Sequence, residues 1–339
     1  MNASKWRLEP FITKEGTSVD IALIVAKRLH RGANRNGFAN ARSVRIIFEQ
    51  MQGSASKRQR KELAEADESD EDLIHENHST TLTLIDLIGD PIDPLESPLI
   101  KELMKMTGLK DVKDSVLAMA KMSALNYESE LKGENVLDIS LHRMFLGNPG
   151  TGKTTMATLY GKILSSMGLL SKGEVIVVGA SKLTGGAMGS TAQIVNQQID
   201  NCKGKVLVID EAYVLANSTY GKEALDTLVE RVQGSPGEDF AVILCGYSDE
   251  MKEMLRDCNP GLSRRFRSED AFIFPDYNDE ELTTILMERA LRANLLITPH
   301  LAKCCVTNVL AKQRSKPHFG NVGAINNLLE SGKDKMMCR

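Results

Sequence analysis

The chain is poor in the features that mark several whole classes of protein. It has one tryptophan, and aromatic residues make up only 5% of its 339 positions. No basic-aromatic track for stacking single-stranded nucleic acid is present, so a nucleic-acid partner is not expected. Lys+Arg 42 against Asp+Glu 45 leaves a formal charge of -3, without the positive excess of a polyanion-binding surface. No apolar run approaches the roughly 20 residues of a membrane-spanning helix. The opening residues MNASKWRLEPFITKEG lack the apolar core of a secretory leader. The six cysteines (Cys202, Cys245, Cys258, Cys304, Cys305, Cys338) form no C-x-x-C pair and no ligand spacing with histidine. They read as reduced thiols in a cytoplasmic or nuclear protein, without a zinc site. His142, His300 and His318 have no partners at metal or triad spacing and read as structural.

What is present is 42% hydrophobic and 26% charged residues, enough for one large domain plus a further body. The run SASKRQRKELAEADESDEDL passes from a basic cluster (Lys57, Arg58, Arg60, Lys61) to an acidic one. It reads as a solvated helix end or linker, with a nuclear-import signal as the sharper alternative. The proline-rich IGDPIDPLESP that follows reads as extended chain, and a linker is expected over 67–100. Beyond it, short apolar runs occur at His142–Leu146, Glu174–Val178, Val206–Ile209, Phe240–Cys245 and Ala271–Phe274, separated by segments of helical period. That alternation predicts an α/β fold, a parallel five-stranded sheet in a three-layer sandwich, over 101–275. Only helical patterns follow, over 276–339. An internal repeat, Phe38-x-Asn40 to Glu49 against Phe319-x-Asn321 to Glu330, marks residues 1–66 as the helical end of a preceding module. On that reading the chain is a fragment of a longer tandem protein.

Two motifs carry chemistry. Gly147-Asn148-Pro149-Gly150-Thr151-Gly152-Lys153-Thr154 fits G-x-x-x-x-G-K-[ST] between a strand and a helix. Its glycines let backbone N–H groups turn toward phosphate oxygens at a helix N-terminus. Lys153 adds a charge at the β/γ phosphates, Thr154 offers a hydroxyl to Mg²⁺, and Thr155 follows in the first turn. Val206-Leu-Val-Ile209-Asp210-Glu211 buries a strand and delivers two carboxylates at its C-terminal edge. Asp210 is the expected metal-shell ligand and Glu211 the base that activates water. This pairing predicts hydrolysis of a nucleotide's phosphates with Mg²⁺ bound; a kinase would need a second-substrate site that the sequence does not display.

GNPGTGKTT, VLVIDEAYVL, AVILCGYSDEM and NPGLSRRF, in this order, resemble the AAA+ ATPases of the CbbX/CfxQ and stage V sporulation protein K family, from about Thr107 to Glu330. The resemblance implies ATP as the nucleotide, and a P-loop subdomain and helical lid in a ring, usually hexameric, of identical or tandem AAA+ modules that remodels a protein partner. It implies adenine packing at Gly108 and Leu109, a sensor-1 turn at Tyr247, and an arginine finger at Arg265 with Arg264 as runner-up. Two departures stand out. The lid motif reads Asn321-Val-Gly323, so the lid arginine is absent, although the upstream copy has Arg42. The pore-loop segment reads Ala187-Met188-Gly189, with alanine in place of an aromatic, which suits a weak translocator. The rival is an ATP-stabilised scaffold that turns over slowly and threads nothing.

Overall fold

The structure is a computed structural model that describes residues 7–8, 11–12, 18–32, 40–65, 81–88, 96–132, 134–187, 189–233, 238–314 and 318–337. The chain forms two compact units, 1–94 with 119–139, and 95–118 with 140–339.

In the first unit, β1 (Arg7–Leu8), β2 (Phe11–Ile12) and β3 (Ser18–Val19) precede helices α1 (Ile21–Gly32) and α2 (Asn40–Glu65). β4 (Thr81–Leu82) and α3 (Leu84–Ile88) follow. β1 pairs with β4 in parallel, and β2 with β3 antiparallel. Ile21 and Ile24, Met51 and Ala55, spaced three and four apart on one helix face, meet Leu82, Leu84 and Leu87 in a small core. The expectations for this region are corrected in two ways. Residues 1–66 carry three short strands besides their helices, because two-residue strands leave no periodicity to read. Residues 67–100 are not simply linker: they supply three leucines to that core, and Asp86.

Asp86, with its side chain 1% exposed, takes a two-pronged bond from Arg58 (Nε to Oδ1 3.0 Å, Nη2 to Oδ2 2.9 Å) and a third from the Thr83 N–H. Arg58, at the centre of the basic cluster, is therefore committed to the fold rather than solvated. Phe38 and Arg42 of the repeat lie outside the described side chains.

The second unit begins with α4 (Pro98–Lys105) and the first turns of α5 (Lys110–Leu131). Its sheet comprises β5 (Arg143–Gly147), β6 (Val175–Gly179), β7 (Val206–Asp210), β8 (Ala241–Gly246) and β9 (Phe272–Phe274), all parallel, in the order β6-β7-β8-β5-β9. Each strand lies within two residues of its expected place. β8 is buried throughout and β7 up to Asp210, as central strands covered by helices must be; β6, at the edge, leaves Val177 half exposed. The crossovers include α6 (Lys153–Ser166), α7 (Ser190–Asn201), α8 (Thr219–Arg231), α9 (Ser248–Asp257) and α10 (Pro260–Arg265). Because all five strands run one way, their carboxyl ends share one edge. Residues 147–154, 210–211, 247 and 275–277 leave the sheet there.

The helical tail comprises α11 (Asp279–Arg292), α12 (Pro299–Cys304), a π turn (Cys305–Leu310), α13 (Ala311–Arg314) and α14 (Val322–Met337). It has its own core, including Leu282, Leu286, Val306, Leu310, Phe319 and Ile325. Asn278 and Glu281 form a reciprocal capping box at the start of α11. Arg314 bonds Asp279 and the Tyr277 carbonyl, tying the last short helix to that start.

Candidate active site

The loop between β5 and α6 turns on glycines. Gly150 (φ +71°) and Gly152 (φ +95°) are left-handed, a conformation that opens the loop before the first helical N–H groups. Lys153 folds back into this loop, donating from Nζ to the carbonyls of Gly147 and Asn148, 2.8 Å each. Burial lowers its pKa from the usual lysine value, opposed in part by the negative charge of Asp210. Thr151 is fully buried and donates its hydroxyl to the Asn148 carbonyl. Thr154 and Thr155 are exposed and border a cavity of about 350 Å³ with Glu102, Met106, Thr158 and Lys162.

Asp210 ends β7 and is exposed above four buried apolar residues. Glu211 follows at φ +53°, an uncommon conformation for a residue with a side chain, and its N–H donates to Asp210 Oδ1 at 3.1 Å. The two carboxylates thus leave the strand through a strained turn. Tyr247, directly after β8, stacks on Tyr213 of the turn that follows Glu211 (centroids 5.5 Å) and on His318 of the lid (4.2 Å). Burial, then the Glu211 carboxylate, pushes the Tyr213 hydroxyl up to about 12, and the same causes raise Tyr247.

The loop is also fastened to the lid. Asn148 Nδ2 lies 3.0 Å from both oxygens of Asp276. Asn321 Nδ2 donates to Asp276 Oδ1 (2.7 Å), to the Phe319 carbonyl and more weakly to the Pro149 carbonyl, while its Oδ1 accepts the Tyr277 N–H. The Tyr277 hydroxyl donates to the Thr151 carbonyl. A Cβ on Gly150 would fall 2.3 Å from the Gly320 carbonyl, so only glycine lets the lid approach this closely. Gly108 and Leu109, both left-handed, lie on this side as well, since a Cβ on Gly108 would meet Glu281 and Tyr277. Leu109 is buried.

The structure therefore gathers the expected Gly147–Thr155, Asp210, Glu211 and Tyr247 at one sheet edge. Reading the sequence missed Asp276, Tyr277 and the contacts of Asn321 and His318. The Phe-x-Asn repeat was the available signal for Asn321; His318 has no fixed-spacing partner because its contact comes from a distant strand end. Arg265 lies on α10, with Nε on the Val232 carbonyl (2.7 Å) and Nη1 on the Gly261 carbonyl (3.3 Å). Arg264 is exposed. Ala187 is exposed, with its carbonyl capped by the Ser190 hydroxyl; Met188 lies outside the described residues.

Among the described residues no group of three His, Cys, Asp or Glu side chains is placed to hold a metal alone. A magnesium ion does not need one: it takes one or two protein oxygens and fills its shell with phosphate and water. The hydroxyl of Thr154 and the carboxylate of Asp210 are hard oxygen donors of that kind. No helix among the described residues is long and apolar enough to cross a membrane.

The family model described as "ATPase family associated with various cellular activities (AAA)" matches residues 143–270, from the first residue of β5 to the turn before β9. Protein CbbX of Cereibacter sphaeroides is 33% identical over 260 residues, covering 75% of this chain and 82% of that protein. Stage V sporulation protein K of Bacillus subtilis is 41% identical over 195 residues, covering 57% of this chain and 58% of that protein. The chloroplastic ribulose bisphosphate carboxylase/oxygenase activase of Cyanidioschyzon merolae is 32% identical over 250 residues, covering 73% and 81% respectively. With a phosphate loop, paired carboxylates and a docked helical lid on a five-stranded parallel sheet, the chain belongs to the CbbX/CfxQ family of AAA+ ATPases.

Proposed function

We propose that this ATPase couples hydrolysis to remodelling of a protein partner from within a ring of AAA+ modules, with residues 1–66 derived from the lid of a preceding module. The observation that carries the reading is the gathering of Lys153, Asp210 and Glu211 at the carboxyl edge of one sheet. Lys153 exchanges its two loop carbonyls for phosphate oxygens. The N–H groups at the start of α6 hold the remaining phosphate charge. Thr154 and Asp210 would hold Mg²⁺, which would supply positive charge against the phosphates. Glu211 orients and deprotonates the attacking water. Gly108 and Leu109 seat the adenine beside Tyr277 and Glu281.

Arg265, with Arg264 as the runner-up, supplies the cationic finger to a neighbouring module, a contact worth about 10³–10⁵ in rate. To reach that neighbour Arg265 exchanges its two carbonyl bonds for phosphate oxygens, as Lys153 does. The absence of an aromatic at Ala187 and of an arginine at Gly323 favours the scaffold reading, in which turnover is slow.

The test measures ATP turnover of the full chain at rising protein concentration, with mass measurement in the presence and absence of ATP. Turnover per chain that climbs with assembly, and falls at least a hundredfold in Glu211→Gln and Arg265→Ala, is expected. Brisk turnover by a monomer, independent of concentration, refutes the ring. An assembly that forms with ATP yet turns over no faster than Glu211→Gln supports the scaffold instead.

A further inference from the structure

Three rings form a continuous ladder across the active site. The imidazole of His318 lies on Tyr247, with centroids 4.2 Å apart and planes tilted by 34°; Tyr247 stacks on Tyr213 at 5.5 Å and 30°. The rings come from three separate places. His318 belongs to the lid turn that leads into α14, Tyr247 to the turn after β8, and Tyr213 to the 3-10 turn Ala212–Asn217 directly after Glu211. His318 has φ +57°, so the backbone is held in a sparsely populated conformation where the ring meets Tyr247. At the other end, Glu211 is itself left-handed. In the same lid segment Gly323 offers no side chain, and nothing lies within 4 Å of where its Cβ would be.

We propose that His318 is a positioning residue for hydrolysis, which fixes the Tyr213–Glu211 turn by stacking on Tyr247, so that the lid sets the aim of the Glu211 carboxylate through rings rather than through an arginine on phosphate. The inference rests on the ATPase reading of the site. Its chemistry is contact and shape: the imidazole serves as a flat surface, and phenylalanine at the same place does the same work. Losing one face of an aromatic pair lowers kcat about three- to tenfold, while the phosphate loop is untouched and KM stays within twofold.

The test uses the full chain as wild type, His318→Ala, His318→Phe, Tyr247→Leu and the Tyr247→Leu/His318→Ala double variant. It measures steady-state ATP turnover and amide hydrogen exchange across 211–217. Expected are a lowered kcat in His318→Ala, recovery in His318→Phe, and no further loss in the double variant beyond Tyr247→Leu. Exchange accelerates in 211–217 for the alanine variant and returns to normal for phenylalanine. Wild-type kcat and exchange in His318→Ala overturn the proposal, as does a raised KM that phenylalanine fails to restore, which would make His318 a polar contact to nucleotide. Acceleration spread evenly over the whole chain overturns it too. A wild type no faster than Glu211→Gln counts against the ATPase reading instead, and the exchange measurement then decides the ladder alone.

Discussion

Asn321 is the most heavily used polar side chain between the phosphate loop and the lid, and its removal is the sharpest stability test. The residue is fully buried at φ +45°. Its amide accepts one backbone N–H and donates to Asp276 and two carbonyls. Alanine leaves the buried Tyr277 N–H without its acceptor, while Asp276 is exposed and keeps Asn148, so it turns to water; at about 1–3 kcal/mol per buried unsatisfied group, lid docking loses about 1–3 kcal/mol. Glycine loses the same hydrogen bonds but tolerates the left-handed backbone, so Asn321→Gly lies about 1 kcal/mol above Asn321→Ala. The assay is urea unfolding, with amide exchange in α11 and α14 to localise the loss. ATP affinity falls in parallel, since Asn321 and Asn148 share Asp276. If both variants stay within about 0.5 kcal/mol of wild type, or alanine proves more stable than glycine, the network does not hold the lid.

Three further outcomes follow from the same coordinates. Gly323→Arg has open space for its side chain and adds a charged donor beside the loop, so calorimetry should show ATP bound about tenfold more tightly, with the fold unperturbed. Burial pushes the Cys245 thiol up to about 12 and Cys202 up to about 11, so neither is alkylated by iodoacetamide at pH 8 in the native chain, and both react after denaturation, as read by mass spectrometry. Because folding raises these values, their contribution to stability is complete below the ordinary thiol range and is lost as pH climbs from there through the raised values of about 11 and about 12. His142 Nδ1 accepts the Val242 N–H, so Nε2 carries the proton and donates to Glu238 at 2.8 Å. Glu238→Ala should therefore cost about 2 kcal/mol in thermal unfolding, and Glu238→Gln distinctly less.

The sheet was legible because buried parallel strands are unbroken apolar runs, and Val206–Ile209 and Ala241–Cys245 are such runs. The phosphate loop and the Asp210-Glu211 pair were legible because their chemistry lies in consecutive residues. The lid contacts were not. Asn321 meets Asp276 and His318 meets Tyr247 across long stretches of chain, and no local pattern records which distant atoms a side chain will face. Asn321 drew notice through the Phe-x-Asn repeat and the missing lid arginine, neither of which names its partners. In the first unit, Asp86 looked like part of a charged linker; only the fold shows that it neutralises Arg58 in a buried pair.

The Lys153 ammonium is already held by two carbonyls of its own loop, so an anion that binds it exchanges one set of oxygens for another. An incoming anion must offer the ammonium more than a pair of peptide oxygens already in hand. A chain of phosphates can meet the loop N–H groups and the amine together.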